Sequence, residues 1–170
     1  GKMALALPQA ASDRGAIVTL VHGPIAPELL PIAPDYQLIS VVSADQMEAV
    51  IMSHLVESDI IIMSAAVADV KPVNYTAHKL PKQELPTALK LEPVTDILGK
   101  LGSLKKVHQI LIGFAAQTGD IVKPALDKRQ RKNLDIIVAN PIDQPEAGFG
   151  TNTNQAIFLD ANEQQKTIES

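Results

Sequence analysis

Three groups of residues have side chains and spacing suited to chemistry. Asp69 follows the apolar run Ile60-Ile61-Ile62-Met63 and the small residues Ser64, Ala65, Ala66 and Ala68. A carboxylate just past an apolar strand stands where ligands bind in open α/β sheets, and small side chains let a ligand approach the backbone. A polar, proline-containing loop then leads to Lys79 and Lys82, which could meet phosphate as point charges. Lys128 and Lys132 are four apart in Lys128-Arg129-Gln130-Arg131-Lys132-Asn133, so on a helix they share a face, and a triphosphate would suit the pair. Phe114, one of three phenylalanines, sits in Gly113-Phe114-Ala115-Ala116-Gln117-Thr118, where a ring could stack on a nucleobase. On local grounds each group also has a plainer reading. These are a surface loop after a buried strand, a solvated helix end whose cations suit the helix dipole, and a core aromatic.

The elements that must hold these residues are legible in the hydrophobic pattern. Lys2 to Arg14 has helical composition with an awkward Pro8, and Gly15 is a helix stop. Strands are expected over Ala16–Val21 and Tyr36–Val42. Ser43 is expected to cap a helix carrying Met47, Val50, Ile51 and Leu55 at helical spacing. Ile60–Met63 reads as a strand buried on both faces. Ala88–Leu91 reads as a short strand, and Thr95 or Asp96 opens a helix ending by Gly102. Strands over Gln109–Ala116, Asp135–Ala139 and Gln155–Leu159 follow, with a helix between the first two and a polar turn at Gly148–Asn154 before the last. Strands alternating with helices predict a mostly parallel sheet covered on both faces. No linker or internal repeat divides the chain.

Composition narrows the function classes. A length of 170 residues fits one domain with a sizeable core. Fifteen basic against nineteen acidic residues, net −4, argue against a general nucleic-acid binder. No cysteine is present, which excludes a disulfide framework and a thiolate metal site and fits a reducing, cytoplasmic setting. The four histidines show no metal-ligand spacing. No apolar run approaches the roughly 18 residues of a membrane span, and Gly1-Lys2-Met3 lacks a signal-peptide plan. Neither GxGxxG nor GxxxxGKS/T occurs, which counts against dinucleotide and Walker-type sites.

Taken in order, SAAVAD, a lysine cluster ten residues beyond Asp69, TDIL, GFAAQT, KRQRKNLD, IVAN and GFGTNTN resemble the bacterial phosphopantothenoylcysteine synthetases. The resemblance covers essentially the whole chain, including its GKM start. Members of that family usually form the C-terminal half of a bifunctional flavoprotein of coenzyme A synthesis. The resemblance implies a ligase using CTP and Mg²⁺, with 4′-phosphopantothenate and cysteine as substrates. The phosphopantothenate carboxylate attacks the α-phosphate and releases pyrophosphate, and the cysteine amine then attacks the acyl-cytidylate and releases CMP. It implies a nucleotide site of Met63, Ser64, Ala65, Asp69, Lys79, Thr95, Asp96, Ile97, Leu98, Phe114, Lys128 and Lys132. In it Lys79 is the catalytic lysine of a flexible loop, and no metal ligand is assigned. Where many members read KxKK, Lys79-Leu80-Pro81-Lys82 has lost one amine; where many read NPDI, this chain has Thr95-Asp96-Ile97-Leu98. Cations around a tetra-anion fit the physical logic, because an acyl phosphate forms only where developing charge is stabilised.

The family's first strand, glycine-rich turn and asparagine precede the point where this sequence starts, and its last helix follows the point where it stops. The expectation is therefore one synthetase domain over residues 1–170 without those parts, with further residues before Gly1. FMN is expected only if a decarboxylase domain lies upstream. The expected fold is a Rossmann-like three-layer α/β/α domain with a mostly parallel sheet. An extended loop from Val70 to Leu91, bearing Tyr75, is expected to pair two subunits as a homodimer. Partners are small molecules, with neither nucleic acid nor membrane. An NAD(P)-dependent reductase on a similar sheet and a non-catalytic nucleotide-binding module are the alternatives.

Overall fold

The computed structural model describes residues 2–74, 76, 78–141, 155–162 and 165–169. The chain opens with α1 (Lys2–Ser12), which carries Pro8 inside it, and Gly15 at φ +85° turns the backbone out of the helix. β1 (Thr19–His22) and β2 (Gln37–Ser40) pair in parallel as a two-stranded sheet, from Thr19 opposite Gln37 to His22 opposite Ser40. α2 (Ala44–His54) follows, and the Ser43 hydroxyl caps it by accepting from the Gln46 N–H at 3.2 Å.

The main sheet holds β3 (Ile60–Met63), β6 (Ile110–Gln117), β7 (Ile136–Pro141), β8 (Gln155–Leu159) and β9 (Gln165–Glu169), side by side in that order. β3, β6 and β7 run parallel, with Ile60 opposite Ile110 and Ile112 opposite Ile136. β8 and β9 add an antiparallel margin on the far side. Between β3 and β6 the chain throws out an antiparallel ribbon of β4 (Val70–Pro72) and β5 (Leu91–Pro93). It then forms α3 (Ile97–Leu104), and α4 (Val122–Arg131) links β6 to β7. This is the expected α/β architecture, with the parallel strands gathered where the candidate site lies. The polar turn over residues 148–154 and Tyr75 lie outside the described residues.

One face of the sheet is well packed. Leu111 of β6, Ile137 of β7 and Leu159 of β8 are fully buried there, with Leu101 of α3 and Ala125 of α4. Gly113 lets α3 lie close, since a Cβ there would stand 2.6 Å from Leu134 Cδ1 and 3.1 Å from Leu98 Cδ2. A Cβ on Gly102 would run into the carbonyl oxygen of Lys132, and the Asn133 amide donates to the Gly102 carbonyl at 2.7 Å. The end of α4 is thus pressed against the flank of α3. Gln109, 1% exposed, fastens α2 to the start of β6, its amide donating to the carbonyls of Leu55 and Ser58 at 2.6 Å each.

Two expectations fail. The short strand expected over Ala88–Leu91 lies at Leu91–Pro93, where pairing with β4 sets its bounds. Ile60–Met63 is not buried on both faces: Ile61 and Met63 turn to the core, but Ile60 is 57% and Ile62 43% exposed. The strand sits at the margin of the five-stranded sheet, and an unbroken apolar run does not reveal how much of its second face is covered.

Candidate functional site

The parallel register sets the site. Met63 at the end of β3 stands opposite Gly113 of β6, so SAAVAD leaves β3 beside Phe114-Ala115-Ala116, which continue in β6 paired with β7. Met63 is buried, Ser64 half-buried, and Ala65 and Asp69 exposed. The Asp69 carbonyl accepts from the Val94 N–H at 2.9 Å, which brings the start of α3 back beside the loop.

α3 and α4 supply the charges. Asp96 caps α3, its Oδ1 accepting from the Gly99 N–H at 3.1 Å. The same oxygen takes the Lys132 ammonium at 2.8 Å. One turn earlier, Lys128 Nζ donates to the Phe114 carbonyl at 2.8 Å. The helix continues between the two lysines, with the Lys132 N–H bonded to the Lys128 carbonyl, so both side chains turn toward β6 and α3. Lys128 and Lys132 are both partly buried and hydrogen-bonded within the chain, so neither is a freely solvated cation at the helix end.

The electrostatics follow from this geometry. Burial pushes the Lys128 ammonium below the ordinary lysine value and the charge on Lys132 adds to that, while Asp96 and Asp69 pull the other way. For Asp96, burial pushes the carboxyl up, but hydrogen bonds from Lys132 and Gly99 and the charge on Lys128 outweigh it and hold the group below the usual carboxylate range. Lys128 is therefore within electrostatic reach of Lys132, Asp96 and Asp69, and Asp96 of both lysines.

The remaining predicted residues fall in two places. Ile97 and Leu98 are core side chains, 2% and 8% exposed, so what they offer a ligand is backbone at the start of α3. Lys79 and Lys82 are exposed on the segment joining β4 to β5, and among the described residues no hydrogen bond or ion pair ties them to Lys128 and Lys132. The sequence reading missed Glu48 on α2. It accepts from Lys100 of α3, the main reason its carboxyl lies below the usual range, and a hydrogen bond from Thr95 adds to this. Asp45, one turn before it, pairs with Lys71 of β4 at 2.7 Å. Two acidic residues three apart on one helix face were the available signal. Among the described residues no three His, Asp or Glu side chains gather into a metal cluster, and no helix is long and apolar enough to cross a membrane.

Comparison with known proteins shows the family and the fold. The Bacillus subtilis coenzyme A biosynthesis bifunctional protein CoaBC is 42% identical over 175 residues, covering all of this chain and 42% of that protein. A cysteine/cysteine sulfinic acid decarboxylase of an unknown prokaryotic organism is 41% identical over 160 residues, covering 94% of this chain and 44% of its own. The chain thus spans less than half the length of these curated relatives. Among solved structures, the C-terminal domain of a CoaBC protein superposes with a TM-score of 0.77 at 33% identity, over 99% of this chain and 74% of that one. The profile of the DNA/pantothenate metabolism flavoprotein C-terminal domain matches residues 1–170, and the chain belongs to that family.

Proposed function

We propose that residues 1–170 form a phosphopantothenate–cysteine ligase domain that activates its acid substrate with CTP. The observation that carries this reading is the pair Lys128 and Lys132, held one turn apart beside the backbone carbonyl of Phe114 and the carboxylate of Asp96. Two ammonium groups so placed neutralise a triphosphate, and Phe114 offers a ring to the base. In the first step a carboxylate oxygen of 4′-phosphopantothenate bonds to the α-phosphorus as the bond to the β-phosphate oxygen breaks and pyrophosphate leaves. In the second the cysteine amine bonds to the acyl carbon, loses a proton, and CMP departs with the electron pair of the broken acyl–oxygen bond.

The chain's residues divide this work. Lys128 and Lys132 hold the phosphates, Lys79 reaches the α-phosphate from the ribbon, and backbone at Met63, Ser64 and Ala65 lines the nucleotide and acyl group. Thr95 to Leu98 present α3 backbone to the pyrimidine edge. Magnesium takes one or two carboxylates plus phosphate oxygens rather than an all-protein cage, and Asp69 is the exposed carboxylate suited to it. When bound, the ion lowers the charge on the leaving pyrophosphate. FMN belongs to an upstream decarboxylase domain, where one is present.

The exposed apolar side chains Val70, Val73, Leu85, Leu89 and Leu91 support a homodimer through the ribbon, since two short strands alone are marginal in water. We place the protein in the cytoplasm, with its nucleotide and thiol substrates. A thermal-shift panel of CTP, ATP, NAD and NADP with Mg²⁺ tests the reading. CTP should stabilise most, and a larger shift with NAD or NADP would favour a reductase. Product assay with CTP, phosphopantothenate and cysteine should yield phosphopantothenoylcysteine and pyrophosphate. CTP binding without either product would favour a non-catalytic nucleotide module.

A further inference from the structure

Lys128 and Lys132 are chemically alike, one turn apart on one helix face, yet they are neutralised differently. Lys132, with its side chain 18% exposed, is paired with the Asp96 carboxylate at 2.8 Å. Lys128, half-buried, is hydrogen-bonded among the described residues to a neutral carbonyl, that of Phe114. The Asp96 side chain is 56% exposed, so a ligand reaching Lys128 from solvent meets Asp96 on its way to Lys132. Asp96 also has a second partner that does not depend on Lys132, the Gly99 N–H at the start of α3. A carboxylate with an independent anchor can give up one cation without being left unpaired.

We propose that Asp96 is an internal counter-anion, holding Lys132 until the polyphosphate of a nucleotide takes its place. This rests on the nucleotide-site reading and adds a regulatory element to it. A single carboxylate brings one negative charge to Lys132, whereas a triphosphate brings several and spans both lysines, so it wins the exchange. A monoanion gains little over Asp96 and is turned away. The exchange makes the site selective for polyphosphates over single phosphates, and Asp96 lowers affinity for every anion in return for that discrimination. The charged groups facing Asp96 are Lys128 of α4 and Lys132 at its C-terminal cap, with the Gly99 N–H of its own helix. Arg131 and Asp69 act on Lys128 in turn.

The test is calorimetric titration of the full chain with inorganic tripolyphosphate and with inorganic phosphate, in wild type and in Asp96→Asn and Asp96→Ser. Asparagine and serine both cap helices well, so α3 should keep its start while the charge is lost. Both variants should bind tripolyphosphate about two- to fivefold more tightly, the change expected when a partly exposed ion pair no longer competes. Both should gain in phosphate binding by a larger factor than in tripolyphosphate binding, so that discrimination falls, and an equal or smaller gain overturns the selectivity. Equal or weaker tripolyphosphate binding in both folded variants overturns the proposal and leaves the nucleotide site standing. A loss of CTP affinity with tripolyphosphate unchanged also overturns it, and makes Asp96 a contact to base or sugar. A wild type that binds neither CTP nor tripolyphosphate overturns the nucleotide reading and this one together. A wild-type readout needs no variant: the Asp96 carboxyl ¹³C titration should move up toward the ordinary carboxylate range in saturating tripolyphosphate, and an unmoved titration rejects the exchange.

Discussion

At the residue scale, Lys79 and Lys128 are cations of different kinds and should fail differently. Lys79 is exposed on the ribbon, so Lys79→Gln should leave the thermal midpoint unchanged. A hydrogen bond to a charged group contributes about 1.5–3 kcal/mol, so its loss in the transition state should slow turnover about 10- to 100-fold. Wild-type turnover in the variant would remove Lys79 from the chemistry. Lys128 is half-buried, and its folded pKa lies below its unfolded one, chiefly through burial. The unfolded chain therefore binds this proton more tightly. Lys128 opposes folding below its lowered value, and that cost fades as pH rises toward the ordinary lysine range. Anion binding runs the other way. It favours the ammonium, so CTP affinity should be full at neutral pH and fall at a lower pH than an ordinary lysine allows. Titration from about pH 7 to about pH 10 should show this alkaline limb in wild type and not in Lys128→Met. Asp96 sets an acid limit by the opposite sign, since its lowered folded pKa supports stability above the ordinary carboxylate value, lost as pH falls through the folded one.

At the element scale, the site depends on how α3 and α4 are pressed together and on how β6 is fixed beneath them. Gln109 is one such fastening, because its buried amide satisfies two carbonyls just past the end of α2. Gln109→Ala should cost about 2–4 kcal/mol, mostly by leaving those carbonyls unpaired, and denaturant unfolding would measure it. Much at this scale was legible in the sequence. Ser43 and Asp96 cap their helices as their types and positions indicated, and Gln155–Leu159 is a strand at its expected bounds. The four-residue spacing of Lys128 and Lys132 correctly put them on one face. Other features were not legible. β9 has no alternating pattern, and its strand form comes from pairing with β8. The pairing of Asp96 with Lys132 joins residues far apart in sequence, and only the packing of α3 on α4 brings them together.

At the scale of the whole molecule, the ribbon and the sheet face raise separate questions. The ribbon meets α2 through Lys71, which reaches Asp45 at 2.7 Å and within the ribbon faces Glu92 at 3.9 Å, while the apolar side chains Val70, Val73, Leu85, Leu89 and Leu91 stay exposed. Light scattering at micromolar concentration should report a dimer, and Leu89→Asp should shift it toward monomer. A wild-type monomer would reject the pairing. The parallel register has a different consequence, one of timing. Ile60 of β3 pairs beside Ile110 of β6, so the strand that opens the site must wait for fifty more residues to be synthesised before its partner exists. At roughly 5–20 residues per second, that leaves a bare isoleucine-rich strand on the nascent chain for about 3 to 10 seconds. β1 and β2, much closer in sequence, can close well before that. The vulnerable moment of this protein's life therefore falls during translation, when Ile60 to Met63 has left the ribosome before Ile110 exists and any other unpaired strand can take its edge.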